Sequence, residues 1–170
     1  MERRTVFEQI SLTRVRRART MRRVGLGVLV VFLGLGAFNL FGVRTVEASA
    51  RRGGYELEVH YAAMTRAGLA TPWTVFVRRP GGFDGPVTLA TTADYFELFD
   101  ENGLDPVPTS SRTDGELIIW KFEQPPGEVL EVDFDARLSP AVQVGKRAAT
   151  SVLVNDRPVV TVEYETGVMP

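Results

Sequence analysis

The stretch Trp120-Lys-Phe-Glu-Gln-Pro-Pro-Gly-Glu-Val-Leu-Glu-Val-Asp-Phe-Asp135 decides the fold class. Its second half alternates strictly. Leu130, Val132 and Phe134 fall on one side of an extended chain, and Glu131, Asp133 and Asp135 fall on the other, because side chains repeat every two residues in a strand. Pro125-Pro126-Gly127 interrupts two such runs, so the stretch reads as two strands joined by a Pro-Gly turn and lying at the centre of a core.

The same period extends outward from it. Tyr55, Leu57, Val59 and Tyr61 alternate with Glu56, Glu58 and His60, and similar runs occupy residues 73–78, 86–92, 95–99, 116–123, 128–136, 148–155 and 158–164. Turn chemistry separates them at Pro80-Gly81-Gly82, Asp84-Gly85-Pro86, Asn102-Gly103 and Asn155-Asp156-Arg157-Pro158. Short strands at this spacing, with almost no helical period, predict an all-β domain over residues 55–170, an antiparallel β-sandwich or small barrel.

Ahead of the strands the character changes. Val24 to Val43 is an uncharged block whose only polar side chain is Asn39, and twenty helical residues rise about 30 Å, the thickness of a bilayer core. It predicts a transmembrane helix over 24–43. Residues 1–23 hold eight Arg against Glu2 and Glu8, whereas residues 44–170 carry twelve basic against nineteen acidic residues. Arg14, Arg16, Arg17, Arg19, Arg22 and Arg23 outweigh Arg44, Arg51 and Arg52, so the positive-inside rule places the leader in the cytoplasm and the strands outside. These arginines could also meet anionic lipid headgroups, and Thr5-Val-Phe-Glu8 fits a capping box for a short leader helix. Residues 44–54, without periodicity and ending in Gly53-Gly54, read as a juxtamembrane linker. Ala48-Ser49-Ala50 offers the rival of a signal peptide cleaved after Ala50. The length of the apolar block and of its basic leader favours a retained anchor. Gly27 and Gly34 share a helix face, but no GxxxG pair drives dimerisation.

Taken together, the pattern over residues 55–170 resembles the immunoglobulin- or fibronectin-like sandwich ectodomains that bacterial envelope proteins tether by one N-terminal helix. The Cys…Trp…Cys hallmark of immunoglobulin domains is absent, since the chain has no cysteine. A retained anchor, a short linker and a domain without catalytic groups together lead to the expectation of a binding or scaffold role outside the cytoplasm.

Chemistry is sparse. Without cysteine there is no disulfide, thiolate metal site or thiol nucleophile, and the single His60 beside Glu58 reads as a surface or structural histidine. No nucleophile elbow, Walker loop, zinc-protease motif or dinucleotide fingerprint occurs, so the expectation is a protein that is not an enzyme and needs no cofactor. Asp100, Asn102 and Asp105 surround a Gly turn and could offer oxygens to calcium, but they lack the other carboxylates of an EF-hand, and Asn-Gly is a common hairpin turn. The turn reading is preferred. The acidic strand region would repel nucleic acid. Three functions stay open: a scaffold for another membrane or envelope protein, which leads; a carbohydrate- or cell-wall-binding domain using Trp73, Tyr95, Phe96, Phe99 or Trp120; and a hydrolase using Asp133 and Asp135.

Overall fold

A computed structural model of the chain describes residues 6–37, 43–100 and 103–169, with side-chain surroundings for residues 17–35, 43–100 and 103–169. The chain divides into two compact units, Met1–Gly42 and Val43–Pro170.

In the first unit, helix α1 runs over Val6–Ala37, so the basic leader and the start of the apolar block form one continuous helix rather than two elements. Arg17, Arg19, Arg22 and Arg23 are exposed on it; the side chains of Arg14 and Arg16 lie outside the description. Every residue from Val28 to Leu33 is more than half exposed, and at 100° per residue six consecutive positions point in all directions. Among the described residues no helix is long and apolar enough to cross a membrane; residues 38–42 of the expected span lie outside them.

The second unit is all-β save one turn of helix, as the alternating pattern predicted. Its strands are β1 (Arg44–Arg52), β2 (Tyr55–Arg66), β3 (Ala70–Arg78), β4 (Val87–Thr92), β5 (Phe99–Asp100), β6 (Leu104–Asp105), β7 (Ser110–Asp114), β8 (Leu117–Phe122), β9 (Val129–Leu138), β10 (Lys146–Val154) and β11 (Arg157–Met169), with helix α2 (Ala93–Phe96) between β4 and β5. They make one curled mixed sheet in the order β5-β9-β3-β2-β11-β10-β4-β8-β7, with β1 also on β2 and β6 also on β9. All described pairs are antiparallel except β11 with β2, where Gly167, Val168 and Met169 lie beside Met64, Thr65 and Arg66. That parallel pair departs from the purely antiparallel expectation. It joins the group β1, β2, β3, β9 to the group β11, β10, β4, β8.

Inner faces of both groups supply one core. Leu57, Val59, Trp73, Val75, Val77, Val132 and Leu138 from the first meet Leu89, Trp120, Phe122, Val152 and Val162 from the second in a single buried cluster. A chain of neutral hydrogen bonds crosses it: Trp73 Nε1 donates to Tyr164 Oη at 3.0 Å, Tyr164 Oη meets Thr150 Oγ1 at 2.9 Å, and Thr150 meets Thr91 at 3.0 Å. Tyr95 Oη reaches Thr166 Oγ1 at 2.7 Å. Burial raises both phenols well above the ordinary tyrosine range, so they stay protonated and can keep donating.

Three local expectations are corrected. The linker over 44–54 is strand β1 and a hairpin turn: Ala48 and Ala50 pack on the core, small enough to hide the period, and Gly53 and Gly54 at φ 61° and 80° supply the left-handed turn that joins two right-twisted strands. The stretch 120–135 is not a hairpin. β8 pairs with β4 and β7 while β9 pairs with β3, β5 and β6, so Pro125-Pro126-Gly127 carries the chain from one strand group to the other. The run 95–99 begins in α2, because Tyr95, Phe96 and Phe99 are all directed to one aromatic cluster, which a short helical turn allows and a strand would split between two faces.

A tight backbone approach gives one testable result. A Cβ built at Gly145 would stand 1.9 Å from the carbonyl oxygen of Thr166 and 2.8 Å from Cα of Gly167, both backbone atoms of β11. Gly145→Ala is expected to destabilise the β unit by about 2 kcal/mol or more, because the strand pair must move apart. Thermal melting checks this against Gly127→Ala, where a Cβ meets nothing within 4 Å and the midpoint should hardly change.

Candidate binding cavity

A concavity of about 1050 Å³ in the β unit opens between the ends of β7 and β8 on one side and α2, β5, β6 and β9 on the other. Register explains its walls. Ser111 lies opposite Trp120 and Thr113 opposite Ile118, so these four side chains share the face of the β7/β8 pair that lines the cavity. Leu104 pairs with Phe134 and Asp105 with Asp133, which puts two apolar side chains on one face of β6/β9 and two carboxylates on the other. Asp135 follows Asp133 two residues on, on that same face.

The floor is the outermost layer of the core. Phe96 packs edge-on against Trp120 at 5.1 Å and Phe134 at 5.2 Å, and Phe99 meets Phe134 at 5.9 Å. Trp73 and Tyr95 are fully buried, Trp120 and Phe99 are 6% exposed, and Phe96 is half-buried. The aromatic side chains considered as a sugar-stacking platform are therefore mainly core, and none presents a flat open ring apart from part of Phe96. The rim is acidic, with Glu97, Asp105, Asp133 and Asp135 all exposed, and among the described residues no Lys, Arg or His lines the cavity. Glu97 accepts from Lys146 Nζ at 2.9 Å, and Asp133 accepts from Thr74 Oγ1. Direct opposition of Asp105 and Asp133 is unfavourable for the sheet by itself, since like charges face each other across a strand pair.

The calcium candidates separate. Asp100 is exposed on β5 and Asp105 on β6, each paired to β9 rather than to the other, and Asn102 lies outside the described residues. Among the described residues one set of His and carboxylate ligand atoms comes within 4.8 Å of each other, and it lies elsewhere: Glu47 on β1 with Glu58 and His60 on β2. There Glu58 is already engaged on both oxygens, accepting from Arg78 on one and meeting His60 on the other, while His60 packs edge-on against Phe76 at 5.1 Å. Arg78 itself lies over the Phe76 ring at 5.2 Å. This is a strand-to-strand clamp across the outer face of β1, β2 and β3.

The Arg78 guanidinium, and after it His60, holds the Glu58 carboxyl below the usual carboxylate range. Its ionised form is favoured in the folded state, so the clamp contributes above the unfolded pKa near 4.5 and is lost as pH falls through the lowered folded value. Partly exposed pairs of this kind are worth about 0.2–1 kcal/mol. Glu58→Gln is expected to lower stability by that amount at pH 7 and to leave a flatter acid limb, read from urea midpoints between pH 7 and pH 3. Parallel limbs for the two proteins would show that the clamp contributes nothing.

Sequence reasoning had Asp133 and Asp135 in hand as a pair and Trp120 and Phe96 as aromatics. It missed Glu97, Asp105's position opposite Asp133, Ser111 and Thr113, because pairing register between distant strands has no local signature. Compared with known protein families and with curated protein sequences, the chain matches none.

Proposed function

We propose that this is a non-enzymatic, single-pass membrane protein whose β unit sits outside the cytoplasm, as an immunoglobulin-like sandwich in the broad sense, and binds or scaffolds another membrane or envelope protein. One observation supports the anchor: within α1, six consecutive apolar side chains from Val28 to Leu33 are more than half exposed, which water tolerates poorly and hydrocarbon covers on every side. The arginine cluster before it supports the N-in orientation. Strand β1 supports retention over cleavage, since a cut after Ala50 would take Arg44 to Ala50 out of a strand that pairs along its length with β2. The two strand groups sharing one core support the sandwich reading. Burial of Trp73, Tyr95, Phe99 and Trp120 favours a protein partner over a polysaccharide, which needs open ring faces to stack on.

Because the native chain has no cysteine, single cysteines report topology cleanly. In intact cells a membrane-impermeant maleimide should label Ser110→Cys on β7 and should label Ser11→Cys in the leader after lysis alone. The opposite pattern would invert the protein, and labelling of both in intact cells would remove the span.

A further inference from the structure

The cavity has a chemical bias that the anchored-scaffold reading leaves unspecified. Of its four rim carboxylates Glu97 is met by Lys146 and Asp133 by Thr74, which leaves Asp105 and Asp135 as the acceptors turned to a ligand; two hydroxyls from Ser111 and Thr113 add to them, and the floor is apolar. Its size is at the upper end of ordinary ligand sites, about 300–1,000 Å³. A ligand that satisfies such a rim must donate hydrogen bonds and carry positive charge on an apolar stem. A bare metal ion is poorly served, because among the described residues the cavity carboxylates form no group of three or more with ligand atoms within 4.8 Å of one another. A neutral sugar lacks the flat aromatic face it would need.

The strand beside the cavity indicates how such a group would be presented. β7 ends the sheet order and among the described residues pairs with β8 alone, its five residues are all exposed, and two of them, Ser111 and Thr113, line the cavity. An unpaired edge accepts an extended segment by main-chain hydrogen bonding, and alternate side chains of that segment then lie over the cavity face. Resting on the reading of the β unit as a holder of a protein partner, we propose that the cavity receives a lysine or arginine side chain from an extended segment of that partner, laid along β7. The aliphatic stem covers Ile118 and Trp120. The cationic head meets Asp105 and Asp135, relieving the like-charge opposition of Asp105 and Asp133.

The test uses the full chain in nanodiscs with both tryptophans replaced by 5-fluorotryptophan, so that Trp120 reports the cavity and Trp73 the core. Probes are a capped heptapeptide of alternating Val and Thr with a central Lys, the same peptide with acetyl-lysine, and n-butylammonium. The lysine peptide should shift the Trp120 fluorine resonance saturably and bind about tenfold or more tighter than its acetylated form, the loss expected when a charged contact is removed. In the Asp105→Asn/Asp135→Asn variant both peptides should bind equally weakly, with an unchanged Trp73 resonance. Equal binding of the two peptides by the native chain, or no saturable shift from either, overturns the cavity assignment. Butylammonium binding as tightly as the peptide overturns the role of β7. Crosslinking in cells separates this from failure of the broader reading: a partner captured equally by native chain and double variant sinks the cavity proposal alone, and no partner with either sinks the scaffold.

Discussion

With Val31 and Leu33 both replaced by arginine, the full chain is expected to leave the membrane pellet and appear in the alkaline-soluble fraction. Both residues lie near the middle of the block 24–43, and both are more than 60% exposed on α1. An arginine at a helix centre costs about 2.5–3.5 kcal/mol on insertion scales, and each apolar side chain lost removes a few tenths more. Two such changes shift the insertion balance by about 6 kcal/mol, a factor on the order of 10⁴. Neither residue belongs to the β unit, so the near-ultraviolet circular dichroism of Trp73 and Trp120 should stay native in the released protein. A control with Val31→Leu and Leu33→Val keeps the hydropathy and should pellet. Retention of the double-arginine chain after carbonate extraction would mean that something other than this helix holds the protein to membranes.

Trp73→Ala is expected to have the largest effect on the β unit itself. Trp73 is fully buried on β3 and meets Phe96 at 5.1 Å, Trp120 at 6.1 Å and Phe134 at 6.4 Å, each edge to face. Truncating a core tryptophan costs about 3–5 kcal/mol, through lost burial and the cavity left behind. Domains of this size have about 5–15 kcal/mol in total, so the variant should melt ten degrees or more below the parent, or fail to fold at 37 °C. Trp73→Phe separates ring from hydrogen bond. It keeps most of the aromatic packing and removes the Nε1 donor, while Tyr164 Oη retains Thr150 at 2.9 Å, so its cost should be smaller, about 1–2 kcal/mol. Urea unfolding followed by far-ultraviolet signal gives both values. Equal midpoints for the two variants would mean that Trp73 contributes through its hydrogen bond rather than through its ring.

Which positions were legible follows from what a single strand can encode. The alternation of Leu130, Val132 and Phe134 with Glu131, Asp133 and Asp135 is written in one segment, and the observed burial of β9 alternates without a break. Which strand lies beside β9 is not written there: Pro125-Pro126-Gly127 invites a hairpin, yet β8 and β9 turn to different partners. β1 escaped because Ala48, Ser49 and Ala50 are too small to show an apolar face, and β7 because Ser-Ser-Arg-Thr-Asp buries nothing at all. The cavity was half legible. Its acids and aromatics stood in the sequence, but their convergence depends on pairings such as Asp105 with Asp133 and Ser111 with Trp120.

The parallel pairing of β11 with β2 also sets a timetable for biosynthesis. Met64 pairs with Gly167, so the junction of the two strand groups waits for about 100 residues of further synthesis, roughly 5–20 s at ribosomal rates of about 5–20 residues per second. During that interval the β1/β2 and β2/β3 hairpins can zip locally while the apolar faces they build still lack their counterpart. A nascent chain of this architecture therefore passes through a stage in which it is half-assembled and adhesive, and any chaperone that engages it acts on that stage rather than on the finished domain.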